Sequence, residues 1–455
     1  MNGVVGEDIW ACIELPKEDY EEGKCGRLLR WLYGMRPAAK AWEDEYAEKL
    51  ESIGFFRGKA APTVFYHPEW EVRIVVHGDD FTTIGKQVHV DKVKKAMQEW
   101  YIITVKGVMG PKPEDCKDMC ILNRRLKIEG EFLVYAPDTK HAKILCEEMG
   151  LKEDSKGLDA PIAKEEAATA GAEEEPLGPQ EATKFRALAA RANYIAQDRV
   201  DVQFAAKELC REMSCPVASS WHRLKRLARY LLEYPSAEWR FPMETEFKVD
   251  MIHAYSDSDW AGCRTTRKST SGGMLVVDGV CLRSWSSTQA TVATSSGEAE
   301  LYALVKAASE SLGFQAVAHD LGVHFRVALL VDSSAAQSIS SRSGIGRTKH
   351  VDVKYLWIQE VVRECRIAVV RVAGQSNPAD VLTKPHSAGR LGEVVGWVGG
   401  RILRRKGGPA TRVKWADIVD DDSRSDVWQT VEPDRGSAEG GCWDNSTHPT
   451  HTWCT

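Results

Sequence analysis

The sequence predicts a mixed α/β protein made of several domains. The chain has 455 residues, and a domain commonly holds about 150. Short apolar runs of strand type alternate with longer segments of helical periodicity, most regularly between residues 246 and 386. That pattern is typical of helices layered on sheets. The apolar fraction of 43% is enough for ordinary globular cores.

Residues 1–110 are the first predicted domain, in which short strands alternate with helices. Apolar side chains recur at helical spacing over residues 40–53, and Gly54 follows where a helix commonly ends. Residues 88–100 have the periodicity of a second helix.

A hairpin with an acidic tip is predicted inside this domain. The strand run over 71–76 leads into the tetrapeptide His-Gly-Asp-Asp, and residues 81–84 form the return strand. Adjacent aspartates in a tight turn place at least one carboxylate where a metal ion can bridge it to a nucleoside triphosphate. Asp79 and Asp80 are therefore candidate metal ligands, and a simple turn-forming role is the alternative.

Residues 111–245 are a second part of the chain, with a strand pair around 121–135 and a helix over 140–149. The segment 152–180 is rich in Ala, Glu, Gly and Pro, which predicts a flexible linker or a long loop.

Long helical patterns complete this second part, over 181–213 with a break expected near Asp198, and over 218–232. The net charge of the whole chain is −6, but residues 183–240 hold eleven basic and six acidic side chains. A basic stripe on such helices can bind phosphates even in an acidic chain. An ordinary solvated helix face is the alternative.

Residues 246–386 are the third predicted domain and carry the clearest signals. Strand runs fit at 250–260, 273–278, 280–287, 326–332 and 366–372. Helical periodicity fits at 296–321, 333–341, 352–364 and 377–384. The remaining residues, 387–455, show no sustained period and are expected to be mostly disordered.

Four acidic residues of the third domain each end or flank an apolar run: Asp257, Glu300, Asp332 and Asp380. Dispersed acids that a fold can gather are what a two-metal phosphodiester hydrolase needs. Asp259 shares a strand face with Asp257 and is an alternative to it. Glu298 and Glu300 diverge by about 200° on a helix, so only one of them can face a site.

Six sequence blocks follow one another in the third domain: Tyr-Ser-Asp-Ser-Asp-Trp-Ala-Gly (255–262), Arg-Lys-Ser-Thr-Ser-Gly-Gly (267–273), Ser-Trp-Ser-Ser (284–287), Glu-Ala-Glu-Leu-Tyr-Ala-Leu (298–304), Arg-Thr-Lys-His-Val-Asp (347–352) and Ala-Asp-Val-Leu-Thr-Lys-Pro (379–385). In order and spacing they resemble the ribonuclease H domain of copia-type LTR retrotransposons. The resemblance implies a five-stranded mixed sheet with flanking helices. It also implies a nuclease that cuts the RNA strand of RNA–DNA hybrids.

The resemblance further implies a metal site. It assigns ligation to Asp257, Glu300, Asp332 and Asp380, which leaves Asp259 as a structural or outer acid and Glu298 solvated. Carboxylate ligands favour Mg²⁺ or Mn²⁺ over Zn²⁺, and two such ions would lie roughly 4 Å apart. Bound cations would also remove the repulsion among the gathered acids.

His350, in the fifth of these blocks, is a further catalytic candidate. A histidine beside a metal-dependent nuclease site can move protons or assist product release. Anchoring a loop and contacting a phosphate are the alternatives for this side chain.

Two other blocks, Trp-Leu-Tyr-Gly-Met-Arg-Pro-Ala-Ala-Lys-Ala-Trp (31–42) and His-Gly-Asp-Asp-Phe (77–81), resemble the reverse transcriptase of the same elements. The resemblance implies a partial reverse transcriptase palm at the start of the chain. In that palm Asp79 would be the main metal ligand and Asp80 the auxiliary one.

The palm departs from the family pattern in ways that bear on activity. Pro37 replaces a glutamine and His77 replaces the tyrosine of the acidic motif. The family's third polymerase acid would lie just upstream of Met1. We therefore expect RNA-directed DNA polymerase activity to be lost in this chain.

Residues 181–240 resemble the helical region that connects polymerase and nuclease in these elements, with Tyr194-Ile195 and Arg199-Val200-Asp201 among the matching residues. The implied role is to hold the backbone of the hybrid, since closely spaced basic residues suit phosphates better than base edges. The candidate backbone contacts are Lys225, Arg226, Arg229, Arg347, Lys349 and Lys354. A-form geometry and 2′-hydroxyl groups would select the substrate.

The sequence thus predicts a retrotransposon-derived ribonuclease H fused to an incomplete polymerase. A catalytically inactive nucleic-acid-binding relic of a reverse transcriptase is the alternative, and an artificial start inside a longer Pol polyprotein is a third reading. The expected partners are an RNA–DNA hybrid and other parts of such a polyprotein. No apolar stretch reaches the about 18 residues of a membrane span, and the N-terminus lacks the pattern of a signal peptide. We therefore expect no membrane partner and a location in the cytoplasm or the nucleus.

Overall fold

The chain folds into two units, each with its own sheets and core. The computed structural model describes residues 5, 9–32, 34–163, 174–243, 250–346 and 350–405. The first unit comprises Met1–Lys106 and Leu312–Phe325, and the second comprises Gly107–Ser311 and Arg326–Thr455.

A four-stranded antiparallel sheet and two helices form most of the first unit. A small ribbon precedes them, in which β1 (Cys12–Ile13) pairs with β2 (Gly26–Arg27). The helices are α1 (Ala38–Ser52) and α2 (Gln87–Trp100). The strands, in spatial order, are β3 (Phe56–Arg57), β4 (Val64–His67), β5 (Val72–His77) and β6 (Asp80–Ile84).

Alternation along β5 builds the core of this unit. Val72, Ile74 and Val76 are buried and pack with Trp42 and Leu50 of α1, because successive strand side chains point to opposite faces. After α1, a glycine at position 54 has a φ of +98°, the left-handed conformation that commonly follows a helix. The two helices and the hairpin predicted for this region are confirmed.

An antiparallel sheet forms one layer of the second unit. Its five strands, in chain order, are β7 (Asp118–Ile121), β8 (Arg124–Glu129), β9 (Phe132–Ala136), β10 (Ser236–Pro242) and β16 (Gly400–Leu403). The accompanying helices are α3 (Lys140–Glu148), α4 (Pro179–Ala196), α5 (Val200–Arg211), α6 (Ala218–Glu233) and α10 (Ala388–Trp397). The break predicted near Asp198 falls between α4 and α5.

A buried ion pair fixes that break. The guanidinium of Arg199 donates to both carboxylate oxygens of Asp201, at 2.8 and 2.6 Å. The hydroxyl of Tyr230 donates to the same carboxylate at 2.8 Å. Arg199 and Asp201 are therefore structural residues, in a segment that the sequence associated with nucleic-acid binding.

A mixed sheet forms the other layer, in the spatial order β13–β12–β11–β14–β15. Its strands are β11 (Met251–Ser258), β12 (Thr270–Val277), β13 (Val280–Thr288), β14 (Arg326–Val331) and β15 (Ala368–Arg371). The first three are antiparallel neighbours, whereas β14 and β15 run parallel to β11. This is the five-stranded mixed sheet that the resemblance implies.

Three helices and a short turn accompany the mixed sheet: α7 (Ser296–Asp320), α8 (Ser334–Ser341), α9 (Val353–Arg363) and the 3₁₀ helix Pro378–Leu382. The sequence predicted an ordinary helix over 377–384, and that prediction is wrong. Pro385 disfavours helical backbone at the residue before it, so the turn ends early.

The predicted boundary between the second and third parts is absent. Leu227 and Trp239 from one part share a hydrophobic cluster with Met274 and Leu330 from the other. Helix α5 packs on β13, so the two predicted parts form one core.

The described start of the predicted disordered tail is ordered. Residues of α10 and β16 join the core through Leu391, Val394, Val395 and Ile402. The apolar residues of α10 do recur at helical spacing, but the intervening glycines lower helix propensity and hide the pattern. Residues 406–455 lie outside the described residues.

The segment 152–180, predicted to be flexible, is held at both of its described ends. The backbone N–H of Leu158 donates to the carbonyl of Arg229 at 3.3 Å, and that of Leu177 donates to the carbonyl of Pro216 at 2.8 Å. Its residues 164–173 lie outside the described residues. Among the described residues, no helix is long and apolar enough to cross a membrane.

Candidate active site

The ends of two neighbouring parallel strands bring Asp257 and Asp332 together. Strands β11 and β14 run parallel with Ser256 opposite Val331, so the next residue of each strand lies at the same edge of the sheet. Asp257 is buried near the end of β11, and Asp332 directly follows β14.

Glu300, near the start of α7, completes a cluster with these two aspartates. Its Oε1 accepts a hydrogen bond from the backbone N–H of Ser258 at 3.3 Å. One carboxylate oxygen each from Asp257, Glu300 and Asp332 lies within 4.8 Å of the other two. The Oε2 of Glu300 is buried and has no hydrogen-bond partner among the described residues. An unsatisfied buried oxygen beside two other carboxylates fits a divalent cation.

Bringing these carboxyl groups together in a buried place raises the pKa of two of them. Burial, followed by repulsion from Asp257 and Asp332, raises the pKa of Glu300 to about 9. Burial also raises the pKa of Asp257, against the opposing effect of the Lys384 ammonium. A metal ion would have to displace the proton on Glu300, and its positive charge would offset the repulsion.

Asp380, the fourth predicted ligand, is engaged by basic side chains instead. It lies in the 3₁₀ turn, where the Nζ of Lys384 is 2.5 Å from its Oδ1 and the Nε2 of His386 is 2.9 Å from its Oδ2. Burial opposes ionisation, but hydrogen bonds from His386 and Lys384 outweigh it and lower the pKa of Asp380 to about 2. The structure therefore gathers three of the four predicted ligands, whereas Asp380 pairs with His386 and with Lys384, whose ammonium also lies 3.8 Å from Asp257.

Three residues that the sequence did not single out position these acids. Asn377 is buried and donates from its Nδ2 to the carbonyl of Ser256 at 2.8 Å, which fastens the 3₁₀ turn to β11. The hydroxyl of Thr383 donates to the Oδ2 of Asp257. The Nζ of Lys384 lies 3.8 Å from that same oxygen. All three residues lie in or beside the block Ala-Asp-Val-Leu-Thr-Lys-Pro, which was the available sequence signal.

Asp259 lies outside the cluster and has a structural role. It accepts hydrogen bonds from the backbone N–H and, at 3.1 Å, from the hydroxyl of Thr270. These bonds fasten the segment after β11 to the start of β12.

Glu298 is buried, whereas the sequence predicted a solvated side chain. It is only 3% exposed. Its Oε2 accepts from the N–H of Thr294 at 2.8 Å and from the hydroxyl of Thr294 at 2.7 Å, and its Oε1 accepts from the hydroxyl of Tyr302. The prediction failed because helix geometry excludes Glu298 from one site without exposing it to water.

His350 contacts Glu298 and not the three clustered acids. Its Nε2 lies 2.9 Å from the Oε2 of Glu298 and 2.8 Å from the Oγ1 of Thr294, while the side chain is 49% exposed. These contacts match the loop-anchoring alternative for this residue.

The candidate phosphate contacts have different surroundings. Lys225 is exposed on α6, and Arg226 on the same helix is partly exposed. Arg229 donates to the carbonyl of Lys156 at 2.8 Å. On α9, the Nζ of Lys354 lies 3.1 Å from an oxygen of Asp352. Arg347 and Lys349 lie outside the described residues.

Fewer basic side chains are available to bind phosphates in the stripe predicted over 183–240 than its composition suggests. Arg199, Lys207 and Arg223 are buried. Each is ion-paired, with Asp201, Glu208 and Glu212 respectively. Such residues support the fold and cannot offer their charge to a phosphate.

The acidic hairpin of the first unit is formed as predicted. Strands β5 and β6 pair with His77 opposite Asp80, and Gly78 occupies the first turn position with a φ of +65°. The Nζ of Lys106 lies 2.5 Å from the Oδ1 of Asp80. Among the described residues, Asp79 and Asp80 belong to no group of three metal-ligating side chains.

The chain is similar in sequence to several known proteins. No protein-family model matches the chain. The Pol polyprotein from transposon TNT 1-94 of Nicotiana tabacum is 25% identical over 402 residues, which are 84% of this chain and 29% of that protein. The Pol polyprotein from transposon RE2 of Arabidopsis thaliana is 26% identical over 371 residues, which are 79% of this chain and 24% of that protein. This chain therefore spans less than a third of the length of these relatives.

A shorter relative has higher identity. Secreted RxLR effector protein 161 of Plasmopara viticola is 37% identical over 114 residues, which are 25% of this chain and 78% of that protein.

Two solved structures are also similar to parts of the chain. An RNase H1 isolated from compost has 20% identity and a TM-score of 0.24, covering 30% of this chain and 94% of that one. The foamy viral protease–reverse transcriptase in complex with an RNA/DNA hybrid has 11% identity and a TM-score of 0.45, covering 78% of this chain and 40% of that one.

The transposon relatives align with most of the chain, which includes the acidic hairpin of the first unit and the mixed sheet of the second. The homologues of this chain are retrovirus-related Pol polyproteins of copia-type transposons.

Proposed function

We propose that the second unit is a ribonuclease H that hydrolyses the RNA strand of RNA–DNA hybrids with two divalent cations. The observation that carries this proposal is the cluster of Asp257, Glu300 and Asp332 at the edge of the mixed sheet. The buried oxygen of Glu300, which has no hydrogen-bond partner among the described residues, supports a cation there, since a carboxylate oxygen removed from water needs a positively charged or hydrogen-bonding partner.

The side chains of this site would have two roles, binding the cations and orienting the carboxylates. Asp257, Glu300 and Asp332 would hold Mg²⁺ or Mn²⁺, and the hydroxyl of Thr383 orients the carboxylate of Asp257. The backbone N–H of Ser258 orients Glu300. When bound, the cations would activate water and stabilise the leaving 3′ oxygen.

Substrate binding would depend on basic side chains of the second unit. We propose phosphate contacts for Lys225, Arg226, Arg229, Arg347, Lys349 and Lys354. Lys225 and Lys354 are exposed on their helices and can reach a phosphate without leaving a buried ion pair. We also propose the cytoplasm or the nucleus as the place of action, where such hybrids would be met.

The test is hydrolysis of a labelled RNA–DNA hybrid by the full chain with Mg²⁺. We expect Asp332→Asn to abolish cleavage, because it removes a charged ligand from the cluster. Asp250→Asn is the matched control, since Asp250 is an exposed acid just before β11 that pairs with Arg326; it should retain activity.

Two outcomes would contradict the proposal in different ways. Equal cleavage by the wild type and Asp332→Asn would show that the cluster is not the active site. Hybrid binding without cleavage by the wild type would favour the inactive nucleic-acid-binding relic.

A further inference from the structure

We infer that the ammonium of Lys384 occupies the cation position between Asp257 and Asp380 and competes with the second of the two divalent ions. Lys384 would thereby set the metal concentration at which the site becomes fully loaded. This inference rests on the proposed function, because it concerns the filling of the same site.

The geometry places one ammonium between two carboxylates. The Nζ of Lys384 is 2.5 Å from the Oδ1 of Asp380 and 3.8 Å from the Oδ2 of Asp257. A magnesium ion shared by these two aspartates would need oxygen distances of about 2.0–2.1 Å. It would occupy the space that the ammonium now fills.

The two candidate metal positions therefore differ in what an incoming ion must displace. Glu300 and Asp332 form no ion pair among the described residues, so an ion bound by the three clustered acids meets the Lys384 ammonium only at Asp257, 3.8 Å away, besides the proton on Glu300. Asp380 has both oxygens engaged, one by Lys384 and one by His386. An ion that uses Asp380 must break at least one of these pairs.

Lys384 is able to move away when that happens. Its side chain is 49% exposed, so the ammonium can move into water while the backbone stays in place. The flexible four-carbon stem of lysine permits this without a change in the turn. A divalent cation would therefore compete with the ammonium of Lys384 for the carboxylates of Asp257 and Asp380.

The experiment measures Mn²⁺ binding to the full chain by isothermal titration calorimetry, with bound ions counted by electron paramagnetic resonance. For the wild type we expect a tighter first ion and a weaker second ion. Lys384→Met keeps an unbranched side chain that is one heavy atom shorter and removes the charge. It should strengthen the second binding step by about fivefold or more, since two unit positive charges about 4 Å apart repel by about 1 kcal/mol even in water.

Two further variants separate the charge of Lys384 from its structural role. Lys384→Arg should keep the weak second step, because the positive charge is retained. Lys40→Met is the matched control, since Lys40 forms an i,i+4 pair with Asp44 at 2.7 Å, the same spacing as Lys384 and Asp380 but outside the site. It should bind both ions as the wild type does. Lys384→Gln is a second neutral variant if circular dichroism shows that Lys384→Met is misfolded.

The possible results separate this inference from the proposed function. Unchanged binding of the second ion in the neutral Lys384 variants would overturn the inference, even if the wild type cleaves hybrids. Stronger second binding in a protein that does not cleave would support the inference and overturn the proposed activity. Absence of any Mn²⁺ binding by the wild type would overturn both.

Discussion

Asp257, Glu300 and Asp332 have the same chemistry but different surroundings, and the surroundings decide the role of each carboxylate. Asp257 is fixed by the hydroxyl of Thr383. One oxygen of Glu300 accepts a hydrogen bond from the backbone of Ser258, and the other has no partner in the part of the chain that the structure describes. Glu300 is therefore the acid whose charge depends most on a bound cation.

This dependence predicts how pH acts on the metal-free protein. The pKa of Glu300 is about 9 in the folded chain, whereas an unperturbed glutamate has a pKa of about 4.3. At pH values between these two pKa values, the folded state holds a proton on Glu300 that the unfolded state has lost. The free energy of unfolding is therefore highest below the unfolded-state pKa and falls as the pH rises through the folded-state pKa. We expect a loss on the order of a few kcal/mol by pH 9 in urea unfolding with EDTA.

Glu300→Gln should flatten this pH profile, since the amide does not titrate. Mn²⁺ should restore stability to the wild type at the alkaline end, because the ion binds the ionised form. A wild-type profile as flat as that of Glu300→Gln would contradict the pKa assignment.

Glu298 gives a second prediction at the scale of one residue. The carboxylate of Glu298 has hydrogen-bond contacts with the N–H and hydroxyl of Thr294, the hydroxyl of Tyr302 and the Nε2 of His350. In Glu298→Gln one of the two acceptor oxygens becomes an NH₂ group, which would face a hydrogen-bond donor. The free energy of unfolding should fall by about 1–3 kcal/mol. Glu310→Gln on the same helix is the control, because its pair with Arg283 is partly exposed and should contribute about 1 kcal/mol or less. Equal effects of the two substitutions in urea unfolding would contradict the buried role of Glu298.

The 3₁₀ turn Pro378–Leu382 and strand β12 are in unusually close contact. A Cβ atom added at Gly272 of β12 would lie 2.8 Å from the Cβ of Leu382, 2.8 Å from the Cγ2 of Thr383 and 3.0 Å from the carbonyl of Ala379. Any larger residue at position 272 must therefore push the turn away from the sheet. Since Thr383 holds Asp257, the glycine links strand packing to the geometry of the acids.

We expect Gly272→Ala to lower the free energy of unfolding by about 1–3 kcal/mol and to weaken Mn²⁺ binding. Gly313→Ala is the matched control, because Gly313 is an exposed residue of α7 with no atom within 4 Å of the added methyl group. It should be neutral or stabilise the protein by up to about 1 kcal/mol. Thermal unfolding and calorimetry would measure both effects, and unchanged metal binding in Gly272→Ala would argue against the link.

Across the second unit, segments far apart in sequence close a single core. Strand β16 pairs with β10, and α10 lies in the same hydrophobic cluster as residues of α3 to α6 and of the mixed sheet. The mixed sheet is consequently not separable at the predicted boundary near residue 246. Experiments on this protein should use the full chain.

Leu391 tests whether the chain end belongs to this core. Leu391→Ala should cost about 2–5 kcal/mol, because the leucine is buried and its removal leaves a cavity. Gly392→Ala, one residue on, is the control, since an added methyl group meets no atom within 4 Å. If the region were disordered, as its composition suggested, both variants would unfold at the wild-type urea concentration.

The positions of most helices and strands could be read from the sequence, because local periodicity sets them. The hairpin of Asp79 and Asp80, the break near Asp198 and all five strands of the mixed sheet were found in this way. The candidate acids followed from their places at the ends of apolar runs, and the resemblance to copia-type elements supplied the choice of Glu300 over Glu298.

By itself, then, the sequence determined the order of elements and which acids end them, since both depend on residues close together in the chain. Tertiary structure alone decided that Asp380 pairs with Lys384 and His386, that Glu298 is buried and contacts the exposed His350, and that residues of α10 and β16 enter the core. Those outcomes depend on which distant groups share a small volume. Burial and charge then decide between a metal ion, a proton and an ammonium as the partner of each carboxylate.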